Sequence, residues 1–312
     1  MSDYFPLFPE QASTFAAKVD GLFLLLVCLS VFFAVGVVFF IILFSVKYRR
    51  RSEDERPKPI EGSLPLELAW SIIPLILSLV VFSLGAGIAF RMYRAPANAI
   101  DIYAVGKQWM WKIQHSQGKR EINELHVPVN QPVRLTLASE DVIHSFFIPA
   151  FRIKKDVVPG RYNTMWFEAT EVGEYYLFCA EYCGTQHSGM IGRIVVMKQE
   201  EFQDWLSGGV TGGETMAEAG ARQFQQLGCA TCHKETDQGR GPNLVGLFGT
   251  PRQITTGETV LADENYLRTS ILDPRSQIVG GYQPIMPTFQ GQVSEETVMQ
   301  IISYIQSLSD SE

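Results

Sequence analysis

Apolar residues run without a formal charge from Leu22 to Val46, 25 positions in all. A helix of that length crosses a hydrocarbon core of about 30 Å, so the pattern predicts a membrane span over about 22–46. It is too long for the apolar core of a signal peptide. A second apolar stretch predicts a return span over about 66–90, in which Pro74 is tolerable because membrane helices re-satisfy freed backbone groups. Between the spans stands Lys47-Tyr48-Arg49-Arg50-Arg51, the densest basic cluster of the chain. Such clusters stay in the cytoplasm, so both chain ends are expected on the outer face, although Arg91 and Arg94 mildly oppose this.

Beyond Asp101 the pattern changes to short β-rich runs such as Val133 to Leu137, Thr164 to Phe167 and Tyr175 to Phe178, broken by Gly and Pro. Residues 98–200 therefore read as an all-β sandwich or barrel. Residues 201–215, with Ser207-Gly208-Gly209-Val210-Thr211-Gly212-Gly213 at their centre, have the composition of a flexible linker. Residues 216–312 read as a small helical domain with amphipathic segments at both ends, Ala217 to Leu227 and Glu295 to Leu308. A unit so small gains from a cofactor at its centre. The fold class is thus a multidomain membrane protein, with residues 1–97 holding an N-terminal segment and a two-helix hairpin.

Charge and cysteine usage narrow the chemistry. The 312 residues carry a formal charge of −7 with a pI near 5.4, which gives no footprint for nucleic acid. Four of the five cysteines form two tight pairs, Cys179 with Cys183 and Cys229 with Cys232. Tight pairs point to metal, covalent cofactor or redox chemistry, whereas a disulfide framework spreads its cysteines. Cys28, inside the first span, is most simply a packing residue.

The first pair lies in Cys179-Ala-Glu181-Tyr-Cys183-Gly-Thr-Gln-His187-Ser-Gly-Met190, which puts two thiols, an imidazole and a thioether within twelve residues. That is the ligand palette of copper electron-transfer sites, and His144 upstream offers a second imidazole. A disulfide between the two cysteines would leave both histidines and the methionine unexplained. The order and spacing resemble the CuA signature of the cytochrome c oxidase subunit II family. The resemblance implies a cupredoxin-like domain in which His144, Cys179, Glu181 through its backbone carbonyl, Cys183, His187 and Met190 hold two copper ions. It further implies that the Glu181 side chain contributes to a magnesium site at a subunit interface.

Other segments extend this resemblance over most of residues 15–200. Gly106-Lys107-Gln108-Trp109-Met110-Trp111 is similar to the family's aromatic strand, which makes Trp109 the residue expected to receive electrons. Lys154-Lys155-Asp156-Val157-Val158-Pro159-Gly160-Arg161 is similar to its stretch near the catalytic subunit. Glu67, three residues before Trp70, corresponds to a glutamate at a proton-channel mouth, or else is a carboxylate suited to a helix N-terminus.

The second pair lies in Cys229-Ala-Thr-Cys232-His233, a haem c attachment motif. Two thioethers from Cys229 and Cys232 and axial ligation by His233 follow from that spacing. The loop Gly241-Pro242-Asn243-Leu244 resembles the one in class I cytochromes c whose proline carbonyl supports the axial histidine. Methionine is the expected sixth ligand, since Met/His ligation raises the potential into the electron-transfer range. Met286 is the candidate, with Met216 and Met299 as structural competitors. His115 and His126 match no ligand position and are expected to be surface or loop residues.

Taken together, the resemblance implies an electron-transfer subunit of a respiratory haem-copper oxidase of the caa type in a bacterial cell membrane. Electrons accepted at haem c would pass through CuA to a separate catalytic subunit I that reduces dioxygen and pumps protons. Expected partners are that subunit, other oxidase subunits, membrane lipid and an external donor, either a soluble cytochrome, another redox protein or a neighbouring complex. The alternatives are the equivalent subunit of a copper-containing nitric oxide reductase, which also works with a haem-copper partner, and a free-standing membrane-anchored redox carrier, which Glu67, Lys154 and Asp156 at family contact positions disfavour.

Overall fold

A computed structural model of the chain describes residues 8–56, 62–208, 214–235 and 239–309. They divide into two compact units, one over residues 14–94 and one formed by the N-terminal segment together with residues 95–312.

The first unit is a helical hairpin, α1 Ala16–Lys47 and α2 Leu64–Tyr93. Both contain the predicted spans and run past them, α1 mainly at its start, and their apolar side chains are largely exposed, as a lipid-facing hairpin requires. Gly85 of α2 lies beneath Leu22 of α1.

The second unit begins with two face-to-face five-stranded sheets. Their strands are β1 Ile100–Lys107, β2 Met110–His115, β3 Arg120–Ile122, β4 Glu124–Pro128, β5 Pro132–Ser139, β6 His144–Ile148, β7 Ile153–Val157, β8 Asn163–Glu168, β9 Gly173–Cys179 and β10 Ile191–Met197. One sheet has the order β3-β2-β1-β5-β8 and the other β4-β10-β9-β6-β7. Alternation of side chains puts Leu135, Leu137, Phe146, Ile148 and Phe167 between the sheets, all fully buried. Trp111 meets Phe146 edge to face at 4.9 Å, a favoured aromatic geometry. Residues before α1 are stitched to this sandwich. The Ala12 N–H donates to the Ala150 carbonyl at 3.0 Å, the Thr170 N–H donates to the Ala12 carbonyl at 3.0 Å, and Ser13 bridges Ala169.

Helix α3 Gln199–Gly208 occupies the first half of the segment expected to be linker. Its amphipathic pattern explains the difference: Phe202 and Leu206 are buried, and Trp205 stacks on His126 at 4.3 Å. The glycine-rich residues 209–213 lie outside the described residues.

The helical domain comprises α4 Met216–Gln226, a hairpin of β11 Pro251–Gln253 and β12 Thr259–Leu261, α5 Glu264–Leu272 and α6 Glu295–Ser307. Thr215 and Glu218 close a capping box at the start of α4. The crossing of α4 and α6 depends on Gly220, because a Cβ there would stand 1.9 Å from the Gln300 carbonyl oxygen. This domain does not float beside the sandwich. Tyr103, Val105 and Ala138 of the sandwich join Met216, Val298 and Ile302 in one apolar cluster.

Candidate metal and haem centres

In β9 the buried residues Tyr175, Leu177 and Cys179 alternate with more exposed neighbours, so the inward row ends on Cys179. Pairing of Phe146 with Cys179 sets β6, which begins at His144, alongside it. The loop after β9 returns to β10, closed by the Cys179 N–H donating to the Met190 carbonyl at 3.2 Å. Within this frame the two sulfurs lie 3.7 Å apart, far beyond the disulfide length of about 2.05 Å. His144 Nδ1 is 3.9 Å from Cys179 Sγ, and His187 Nδ1 is 3.5 Å from Cys183 Sγ. Met190 Sδ is 3.8 Å from Cys183 Sγ, and the Glu181 carbonyl oxygen is 3.3 Å from Cys179 Sγ. All six expected donors therefore converge, while the Glu181 side chain is exposed.

The donor set fits copper. Burial pushes the Cys179 thiol up, but His144 and the backbone at Glu181 and Ser145 outweigh it and bring it down to about 6. Cys183 is pushed up to about 12 by burial and by the adjacent Cys179. A second thiolate is thus unfavourable here until a cation compensates it, and soft sulfur with imidazole selects copper.

Two further residues frame this site. Asp141 Oδ1 lies 2.8 Å from His144 Nε2, and Asp141 Oδ2 accepts the Gln108 N–H at 2.7 Å. Gln108 Nε2 and Trp109 Nε1 both donate to the Cys183 carbonyl, at 2.8 and 3.2 Å. The half-buried indole of Trp109 is thereby hydrogen-bonded to the backbone of an expected ligand. Sequence reasoning passed over Asp141 and Gln108, although the three-residue spacing from Asp141 to His144 was a usable signal.

In the helical domain, the motif cysteines occupy a turn that starts at Gly228, whose φ of 74° is in the left-handed region. Neither is in a disulfide. His233 Nδ1 donates to the Pro242 carbonyl at 2.9 Å, which leaves Nε2 as the ligating atom. Burial lowers the imidazole, opposed by that carbonyl, so it stays neutral as a ligand must. Gly241 makes the contact feasible, since a Cβ there would meet the His233 ring at 2.8 Å. An apolar cavity of about 370 Å³ is lined by Cys229, Cys232, His233 and Met286 together with Leu267 and Ile301. Two thiols, one free imidazole nitrogen and one thioether around an apolar chamber suit a covalently held haem. Met216 and Met299 are buried in α4 and α6, as packing residues are.

Glu67 is exposed in the first turn of α2. Asp156 accepts from Ser145 Oγ at 2.8 Å and pairs with Lys154 at 3.4 Å. The expectation for His115 and His126 requires correction. His115 is fully buried at the end of β2 with Nε2 2.7 Å from Glu121, and half-buried His126 binds the other oxygen of the same carboxylate. Trp205 of α3 covers both rings, a long-range contact with no local signature.

Three family models match consecutive parts of the chain. That for the transmembrane domain of cytochrome c oxidase subunit II covers residues 3–85, that for its periplasmic domain residues 119–198, and that for cytochrome c residues 217–309. Cytochrome c oxidase subunit 2 of Alkalihalophilus pseudofirmus is 34% identical over 289 residues, spanning 88% of this chain and 82% of its own. The chain belongs to the cytochrome c oxidase subunit II family. Its relative from Synechocystis is 30% identical over 252 residues, 64% of this chain and 75% of that one. The solved periplasmic domain of subunit II from Bradyrhizobium japonicum is 36% identical over 37% of this chain and 96% of its own, with a TM-score of 0.36. Membership makes this subunit II an electron-transfer component of a haem-copper oxidase, with two apolar spans and with copper and haem as cofactors.

Proposed function

We propose that this subunit II accepts electrons at a covalently bound haem c and delivers them, by way of a two-copper CuA centre, to a separate catalytic subunit that reduces dioxygen to water with proton pumping. The observation that carries this reading is the convergence of two cysteine sulfurs, two imidazole nitrogens, a thioether and a carbonyl oxygen at one end of the sandwich. When bound, the copper pair and the haem iron supply one-electron chemistry.

The chain's own residues keep those centres in fixed surroundings. Cys179 and Cys183 offer the thiolates, His144 and His187 the imidazoles, and Met190 with the Glu181 carbonyl the weak outer contacts. Because these donors hang on paired strands and a closed loop, they shift little when charge changes. Cys229 and Cys232 would anchor the haem, with His233 and Met286 on its iron. Trp109 is the residue through which electrons reach Cys183, since its indole N–H binds that residue's carbonyl. The Glu181 carboxylate would face a magnesium ion at the subunit interface, and Glu67 a proton channel in the neighbouring subunit. Both chain ends stand on the outer face of a bacterial cell membrane, where an external donor, a soluble cytochrome, another redox protein or a neighbouring complex, reaches the haem domain. Metal analysis with electron paramagnetic resonance tests this: two coppers per chain in a mixed-valence signal are expected, and a zinc-filled or one-copper site overturns it.

A further inference from the structure

We propose that Asp141 is a positioning residue that fixes His144 in the tautomer a metal needs and couples that histidine to the turn carrying Trp109; this rests on the copper reading above. His144 is fully buried, so its ring cannot borrow a partner from water. A carboxylate oxygen 2.8 Å from Nε2 only accepts, which places the proton on Nε2 and leaves the Nδ1 lone pair facing the Cys179 side. The ring has no room to turn: Trp111 stands edge-on at 5.9 Å, and a Cβ on Gly106 would be 2.9 Å from it.

The carboxylate is itself immobilised. Its Oδ1 also accepts the Val142 N–H at 2.7 Å, its Oδ2 the Gln108 N–H at 2.7 Å, and the Asp141 N–H donates to Ser139 Oγ at 3.2 Å. One side chain thus joins the start of β6 to the β1–β2 turn, and that turn reaches the other cysteine through Gln108 Nε2 and Trp109 Nε1 on the Cys183 carbonyl. The two imidazoles are treated unequally. Among the described residues no carboxylate hydrogen-bonds His187, which is half-buried beside Tyr182 at 5.8 Å. A ligating histidine that donates to a carboxylate is the more basic one, and loss of such a partner typically weakens metal binding by about tenfold to a hundredfold. His144 is therefore the stronger nitrogen donor of the pair.

The test uses the full chain, purified in detergent and loaded with copper alone, as wild type, Asp141→Asn, Asp141→Ala and Glu140→Gln. Glu140 is the adjacent carboxylate, bound to Lys107 and Lys112 instead of to a histidine. Copper affinity should fall from wild type to D141N to D141A, by about tenfold or more for D141A. The nitrogen hyperfine couplings of the two imidazoles should converge, the reduction potential should rise, and the His144 Nε2–H should exchange faster with solvent. E140Q should keep wild-type affinity and couplings, which separates the hydrogen bond from mere negative charge. A folded D141A, or D141N if D141A does not fold, with wild-type affinity and unequal couplings overturns the proposal. If wild type itself takes up no copper pair, the copper reading has failed instead.

Discussion

The Tyr162 backbone N–H donates to Asn265 Oδ1 at 2.7 Å, and Asn265 Nδ2 donates back to the Tyr162 carbonyl at 3.3 Å. This reciprocal pair joins the sandwich to α5. Beside it Arg268 Nη1 donates to the Gly160 carbonyl at 2.5 Å and its other nitrogens bind Glu295, with both side chains only about an eighth exposed. Burial raises the Tyr162 hydroxyl well above its usual range, helped by Glu295. The haem domain is therefore docked through specific contacts, and the linker does not set its position.

Docking changes what linker length does. A purely tethered domain loses effective concentration as about the −3/2 power of length, so tripling the linker would slow haem-to-copper transfer about fivefold. For this chain, flash-initiated transfer should change less than about twofold when Gly-Ser residues are added within 209–213, and Arg268→Ala should restore the length dependence.

Gly220→Ala forces a methyl against the Gln300 carbonyl, which is backbone and cannot rotate away. The expected cost is about 3 kcal/mol, at the upper end for overpacking, and calorimetry of the haem domain's transition should show it as a lowered Tm.

Met286→Ala should leave haem attached through Cys229 and Cys232 while removing low-spin Met/His ligation. The measurement is the sulfur-to-iron absorption band. Its persistence would exclude Met286 and return Met216 and Met299 to consideration, although both are buried in packed helices.

Glu121 makes stability depend on pH. Burial raises its carboxyl, but hydrogen bonds from His115 and His126 outweigh this and hold it below the usual range. A depressed carboxylate stabilises above its unfolded value and loses that contribution as pH falls through the lower folded one. Glu121→Gln should therefore cost about 1–3 kcal/mol at pH 7. Urea titrations followed by tryptophan fluorescence should show the difference closing below about pH 4.

What the sequence disclosed follows from which interactions are local. The apolar runs marked the two helices, and the spacings from Cys179 to Met190 and from Cys229 to His233 marked the candidate centres because most of their potential donors share short loops, with His144 and Met286 joining from further along the chain. Alternation in β9 explains why Cys179 points inward. What stayed hidden is long-range. The cover of Trp205 over His115 and His126, the pairing of Tyr162 with Asn265 and the seat of Tyr103 against α6 each join residues far apart in the chain. A histidine inside a polar stretch reads as exposed until its buried carboxylate is seen. Helix α3 was masked by the glycines that follow it.

The strand-like segment at residues 12–13 bears on how a water-soluble version of this protein should be built. Cutting the gene just before β1 removes the hydrophobic hairpin but also discards the piece that satisfies the Ala150 carbonyl, the Thr170 N–H and the Phe151 carbonyl. Those backbone groups, in the turn between β6 and β7 and just past the end of β8, would lose their partners and meet solvent beside newly bared apolar surface, an invitation to self-association. Splicing residues 8–13 directly to residue 95 through a short polar loop keeps that surface covered, so the two fragments should differ in aggregation before they differ in colour.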